Sequence, residues 1–429
     1  MSRSNRADLV VIAVEAALLA AAVGVGVLLN ARGVRLWADA APLFAVWRPH
    51  VGWGTPAAVA VAALVVWRGP DWARRVSWPW LLAAGYAATV GWILSLAMVD
   101  GWSGGLAQRL TPQAEYLTEV PRITDVAAML ATFTDHIVDF QPGSWSTHTA
   151  GHPPGALLVF VWLERVGLGG GGAAALACVL VGATVTVSVP AALKWLGDEA
   201  AARAVLPFLV LFPGAVWVGA SADGLFAAVV AGGLALLAAP RWWYWPLAGV
   251  VLGFALYLSY GFVLAGPLAL AVVALRRRHR IAALAVAAIG VAAVAIAFTV
   301  AGFHWWEGYR LVVDRYYQGW AADRPYGYWV WANLAALLLC AGPVLGPALR
   351  RALAARRSVA CWLPVAAAVA VLGADLSGLS KAEVERIWLP FAVWLLVATA
   401  ALPAPHRRFW LIAQAATALA VNHLVWTWW

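Results

Sequence analysis

At 429 residues, 64% hydrophobic and only 11% charged, the chain carries more apolar surface than a water-soluble globule of its size can bury, and an integral membrane protein is the class that accommodates it. The net charge of +9 arises from 29 Lys and Arg against 20 Asp and Glu; the basic residues sit in short clusters between apolar runs, which orients helices in a bilayer and excludes the continuous basic stripe of a nucleic-acid binder. Cys178, Cys340 and Cys361 fall within or beside apolar runs, so they form neither a disulfide framework nor a metal-ligand spacing and read as packing residues.

In chain order the apolar runs predict spans at about 9–29, 55–68, 79–98, 173–194, 202–219, 222–239, 245–258, 260–275, 281–302, 328–348, 359–377, 387–403 and 409–427. The second, seventh and eighth are short, so the expected architecture is an all-α, polytopic transmembrane bundle of about 11–13 spans. The clusters "RGPDWARR", "KWLGDEAAAR", "RWW", "RRRHR", "RRALAARR" and "HRR", with the N-terminal "MSRSNR", all fall on the cytoplasmic side along one alternating path. This register predicts a multi-pass protein of the plasma membrane with a cytoplasmic N-terminus. It requires the run Pro153–Gly169, which carries Glu164 and Arg165, to be an outer-face juxtamembrane helix started by its proline pair.

The outer face then receives the chemistry-bearing segments. Asp100 closes the third span and opens a long loop over about 99–172, and the glycines of "DGWSGG" allow close backbone approach. A half-buried carboxylate at such a boundary suits a general base, although it can equally mark a membrane edge. Glu115 and Glu119, four apart, would share a face if helical. The stretch 124–140 reads as an amphipathic surface helix with Met129, Leu130, Phe133 and Ile137 on one side. "THTAGHPPG" places His148 and His152 four apart, but the Glu of a metalloprotease pair is missing, and Gly151 with the prolines favours a turn. The imidazoles suit hydrogen bonds to a phosphate or a sugar hydroxyl better than a metal.

Asp223 stands at the outer start of a span. Between 304 and 328 aromatics interleave with Glu307, Arg310, Asp314, Arg315, Asp323 and Arg324, a pattern open to two readings, an interfacial belt or equipment for gripping a sugar or phosphate. "SKAEVERIWLPF" holds Lys381, Glu383, Glu385 and Arg386; its lysine and arginine could clamp a phosphate leaving group, the competing reading being a surface salt-bridge cluster.

Together, the carboxylate after an early span, the His-Pro-Pro element ending a long outer loop, the later Asp and the basic "KAEVERIWLPF" resemble the GT-C superfamily of membrane glycosyltransferases, such as protein O-mannosyltransferases and aminoarabinose transferases, and in particular an actinobacterial branch of it. The resemblance covers roughly 79–403, preceded by a two-span extension (1–78) and followed by a final span (404–429). It implies an inverting transfer of a sugar from a polyprenyl-phosphate donor to a hydroxyl of a glycan, lipid or protein on the extracytoplasmic face. Asp100, with Glu115 and Glu119 as further candidates, would be the base, while His148, His152, Asp223, Arg315, Lys381 and Arg386 would bind the donor phosphate or sugar. Many members carry an adjacent acidic pair where Asp100 stands alone, so no metal ligand is assigned and a divalent cation stays an open requirement. The competing expectation is a transporter or flippase of the cell envelope, for which Glu15, the clearest mid-span charge, is the signal.

Overall fold

A computed structural model describes residues 3–219, 221–355 and 358–428, so Met1, Ser2, Arg356 and Arg357 of the expected cytoplasmic clusters, and Ala220 of the turn before Asp223, lie outside the described residues. The chain is almost wholly helical. Among the described residues five helices are long and apolar enough to cross a membrane: Ser4–Ala31, Trp78–Ala97, Gly171–Trp195, Arg280–Val300 and Val359–Leu376, with a sixth if Tyr326–Ala341 and Leu345–Ala354, bent by 92°, count as one. The expectation of 11–13 spans is therefore met only in part. Shorter apolar helices, Asp223–Ala238, Tyr244–Leu256, Tyr260–Leu275 and Leu389–Ala401, fill several of the remaining predicted positions. The run expected to span 202–219 stops at Val210, just after Pro207, and resumes only as Ala215–Val218; Pro213 cannot donate to a continuing ladder.

The basic clusters gather where the sequence groups them. Asp8 is held by Arg350 and Arg351. Arg203 donates to the carbonyls of Ala73 and Val76 at 2.8 and 2.9 Å, and Asp71 pairs with Arg74 and Arg408. Glu15 is not free inside its helix either. Its Oε1 accepts the Gly346 N–H at 2.7 Å, so this carboxylate satisfies an orphan donor at the start of helix Leu345–Ala354.

Two features depart from an all-α reading. Ala45–Trp47 (β1) pairs antiparallel with Val425–Thr427 (β2), Ala45 facing Thr427 and Trp47 facing Val425, and fastens the N-terminal extension to the far end of the chain. Three-residue strands give no alternation long enough to detect. The stretch 124–140 is not one surface helix but the helix Val126–Ala131 and a 3-10 turn Phe133–His136. Its apolar face packs into protein: Met129, Phe133 and Ile137 are buried, and Phe133 stacks on Trp145 and meets Phe303 edge-on.

Beyond Asp100 the backbone turns through Gly101, whose φ of +78° suits glycine, into a wide turn at Ser103–Ala107. There a Cβ at Gly105 would lie 1.8 Å from the Ala97 carbonyl oxygen. Gly105→Ala is accordingly expected to destabilise by about 1–3 kcal/mol, since backbone and not a flexible side chain must yield. An unchanged melting temperature in detergent would show that the two segments do not approach so closely.

Candidate functional site

The "THTAGHPPG" element forms one helical turn, Thr147–Gly151, a two-residue extended break, and then the helix Pro154–Arg165. Proline disfavours the helical region for the residue before it. His152 precedes Pro153, and Pro153 precedes Pro154; their ψ angles are 154° and 160°, so the chain must straighten for two residues. The helix that follows buries Pro154, Ala156, Leu157, Leu158, Phe160 and Val161 within the protein. Thus the prolines start a helix as expected, while the preceding stretch is a short helix where a turn was expected.

The break aims both histidines inward. His148 Nδ1 stands 2.9 Å from Glu115 Oε1, and its Nε2 lies 3.4 Å from an Arg386 nitrogen. Arginine only donates, so Nε2 accepts from Arg386, while the close approach of Nδ1 to Glu115 Oε1 is not aligned as a hydrogen bond. The His152 Nδ1 bonds the His148 carbonyl at 2.8 Å. Burial, opposed by nearby Asp223, holds the His152 pKa down to about 4, so the ring is neutral at physiological pH. Tyr116 lies against both histidines and stacks on Phe160 at 5.1 Å.

Arg386 is the centre of the assembly. Its guanidinium donates to Asp223 Oδ2 at 2.8 Å and Glu383 Oε2 at 2.6 Å. Arg386 and Asp223 are each only 6% exposed, and Glu115 1%. Burial alone would lower the arginine pKa, but Asp223 and Glu383 outweigh it and push it further up. Burial likewise works against a charged Glu383, yet Arg386 and Arg324 hold its pKa at about 2. Replacing such buried ion pairs by apolar residues is often neutral or stabilising, so their presence points to something other than stability.

The segment carrying Arg386 is strained. Ala382 and Glu383 both have positive φ, 68° and 63°, which costs of order 1–3 kcal/mol for each non-glycine residue. Side chains on neighbouring elements brace it. Asn333 Nδ2 donates to the Ser380 carbonyl at 2.7 Å and its Oδ1 accepts from the Ala382 N–H at 3.2 Å; Arg324 donates to the Lys381 carbonyl at 2.8 Å; and the Lys381 N–H bonds Tyr316 Oη at 2.9 Å.

Asp100 lies elsewhere, on a small polar cleft lined by Ala97, Gly105, Arg109, Val216, Asn422, Val425 and Thr427. Its Oδ1 is 3.1 Å from His50 Nε2, its Oδ2 3.5 Å from an Arg109 nitrogen.

The structure therefore brings together Glu115, His148, His152, Asp223 and Arg386, and leaves four predicted residues outside that set. Glu119 and Glu115 do not share a helix face, because the chain runs through 3-10 turns at Tyr116–Thr118 and Val120–Arg122; Pro121 supplies no N–H for an α-helix there. Glu119 binds Arg122 at 2.5 Å and the Ser146 N–H at 2.7 Å. Arg315 pairs with Asp139 at 2.7 Å and donates to the Trp145 carbonyl, which ties helix Trp305–Gln318 to the long loop. The Lys381 ammonium donates to the carbonyls of Ala321 and Arg324 at 2.8 and 3.2 Å. Sequence reasoning singled out neither Glu383 nor Arg324 as site residues, and it passed over His50, Arg109 and Asn422; only the density of acids and bases in "SKAEVER" and in 304–328 signalled the first two.

Among the described residues no group of three or more His, Cys, Asp and Glu is placed to hold a metal ion. No protein-family model matches the sequence, and no curated protein matches it.

Proposed function

We propose that the protein is an integral membrane glycosyltransferase that moves a sugar from a polyprenyl phosphate to an acceptor hydroxyl on the extracytoplasmic side of the plasma membrane. The supporting observation is the convergence of polar side chains from the long loop, the His-Pro-Pro element, the start of helix Asp223–Ala238 and the strained segment before Leu389, while Asp100 is left on a separate open cleft. Glu15, the signal for the transport reading, has one oxygen engaged as a helix cap and the other buried without a hydrogen-bond partner among the described residues, so transport stands as the alternative reading.

In this reading Asp100 takes the proton of the acceptor hydroxyl as its oxygen bonds to the anomeric carbon, and the bond from that carbon to the phosphate oxygen breaks, inverting the centre. The phosphate leaves with the electron pair. Lys381 is the better candidate to stabilise it: its ammonium is bonded to carbonyls, whereas Arg386 is already neutralised by two carboxylates. Arg386, Asp223 and Glu383 form a neutralised cluster apart from the Asp100 cleft and do not grip the phosphate.

The test is sugar transfer by the purified protein in nanodiscs from a panel of radiolabelled polyprenyl-phosphate sugars. Asp100→Asn is expected to lower the rate by about 10²–10⁴, the range for loss of a general base. Transfer that survives the change removes Asp100 from the mechanism, and no transfer from any donor sinks the enzymatic reading.

A further inference from the structure

Between Asp223 and Glu307 the chain carries no Asp or Glu, yet two loops in that stretch hold Arg241, Arg276, Arg277, Arg278 and Arg280. One of these arginines builds a scaffold for the others. Arg276 is buried, and its guanidinium donates to the carbonyls of Leu237 and, at 3.0 Å, of Ala239; it also lies 4.9 Å from the Trp245 ring. The Arg276 carbonyl accepts from Arg280 Nε at 2.6 Å, and Trp245 meets the His279 ring with centroids 6.1 Å apart. Loop 276–280 is thereby fastened against loop 239–243, and the remaining arginines share one surface.

That surface lacks the carboxylates found in other basic clusters of the protein. Arg350 and Arg351 share Asp8, Arg74 and Arg408 share Asp71, and Lys194 and Arg203 share Glu199. Arg241, Arg277 and Arg278 are exposed and make no ion pair among the described residues. The Arg277 guanidinium lies against the turn at Gly197, but the acids there are committed: Asp198 accepts the Ala201 N–H at 2.8 Å, and Glu199 is already shared. Beside the arginines, Trp242 and Trp243 are 65% and 50% exposed, and the Arg241 guanidinium sits 5.0 Å from the Trp243 ring. The same surface closes one end of Arg280–Val300, a helix long and apolar enough to cross a membrane. Indoles and uncompensated guanidiniums at that level meet a bilayer at its headgroups, where phosphates are the anions.

We propose that loops 239–243 and 276–280 bind the headgroup of an anionic phospholipid that carries two phosphodiesters. Arg277 and Arg278 on one loop and Arg241 on the other grip phosphate oxygens through paired N–H groups, while Trp242 and Trp243 sit among the glycerol and upper acyl carbons. Two phosphates fit better than one because three guanidiniums on two loops exceed the charge of a single phosphodiester. A soluble anion would use the arginines but gain nothing from the exposed indoles, which favours lipid as the source. This binding depends on the apolar helices lying in a bilayer and on no enzymatic activity.

Native mass spectrometry of the full-length protein, released from neutral detergent with diphosphatidylglycerol, phosphatidylglycerol or phosphatidylcholine added, tests it. Wild type is expected to retain one diphosphatidylglycerol at least about fivefold more tightly than phosphatidylglycerol, the gain from one further charge contact, and to shed phosphatidylcholine. Arg241→Gln, Arg277→Gln and Arg278→Gln together should weaken that retention about a hundredfold. Trp242→Ala with Trp243→Ala should also weaken it, although every arginine is kept. Arg6→Gln, Arg68→Gln and Arg75→Gln remove the same charge from exposed positions elsewhere and should leave retention at the wild-type level. Thermal unfolding in the same detergent without lipid, expected to be unchanged, shows that each variant is folded. Equal retention of the three lipids by wild type overturns the proposal without recourse to any variant. Undiminished retention in the loop variant overturns it as well, and equal loss in both triple variants reduces it to a response to net charge. Displacement of the lipid by an equal concentration of inorganic diphosphate, or wild-type affinity after both tryptophans are removed, would assign the surface to a soluble anion and overturn the lipid.

Discussion

Arg386→Met is expected to destabilise the protein by about 3–5 kcal/mol, because it leaves Asp223 and Glu383 as buried charges without their partner. Both carboxylates touch the guanidinium directly, and Glu383 is held at a pKa of about 2 largely by Arg386. Glu383 keeps Arg324 at 3.1 Å, so Asp223 carries most of the loss. The double change Asp223→Asn with Arg386→Met should recover a large part of the stability, giving a favourable coupling between the two sites of more than about 1 kcal/mol. Thermal unfolding of single and double variants in one detergent measures it. Additive effects would mean that the pair is hydrated and that the cluster is not the closed unit described. Arg386→Lys separates charge from shape: an ammonium cannot reach two carboxylates and a histidine in one plane, so partial stability with lost activity is the expected result.

Glu385→Gln should change how stability depends on pH. Glu385 is fully buried, and neither carboxylate oxygen has a hydrogen-bond partner elsewhere among the described residues. Burial, with the adjacent negative Glu383, raises its pKa from 4.5 to about 7 against the pull of Arg386 and Arg324. Between these values the native state binds a proton that the unfolded chain does not. Its contribution is therefore complete below pH 4.5, falls as the pH rises, and is lost above pH 7, a change of about 3 kcal/mol at 1.36 kcal/mol per unit. Glutamine mimics the protonated acid at every pH. The variant should match wild type near pH 5 and exceed it at pH 8. Glu383 does not obscure the result, since its depressed pKa contributes stability above 4.5 and loses it only as the pH falls toward 2. Equal pH dependence in the two proteins would show that water reaches Glu385.

The sequence made the helical class and its membrane-length apolar helices legible because composition and run length need no tertiary information. It also picked five of the residues that meet around Arg386, and for a physical reason: charged and imidazole side chains stand out against an apolar background, and the His-Pro-Pro spacing restricts its own backbone. What it could not supply was partnership. Asp100 and Arg386 look like members of one site in a linear reading, yet one faces His50 and the other Asp223. Lys381 and Arg315 read as phosphate or sugar ligands, and the structure fastens them to carbonyls and to Asp139. The amphipathic stretch near Phe133 had the right apolar face, but periodicity does not say whether lipid or protein covers it.

The pairing of β1 with β2 sets an order on how the molecule is made. Residues 45–47 leave the ribosome well before residues 425–427, so the two halves of this sheet wait for the chain between them to be threaded and packed. Until then Arg109 lacks the Thr427 carbonyl, and the cleft at Asp100 has no roof. The polypeptide thus stays chemically unfinished through insertion, and a nascent or C-terminally clipped chain would occupy the membrane with its Arg386 cluster able to assemble and its Asp100 cleft still open.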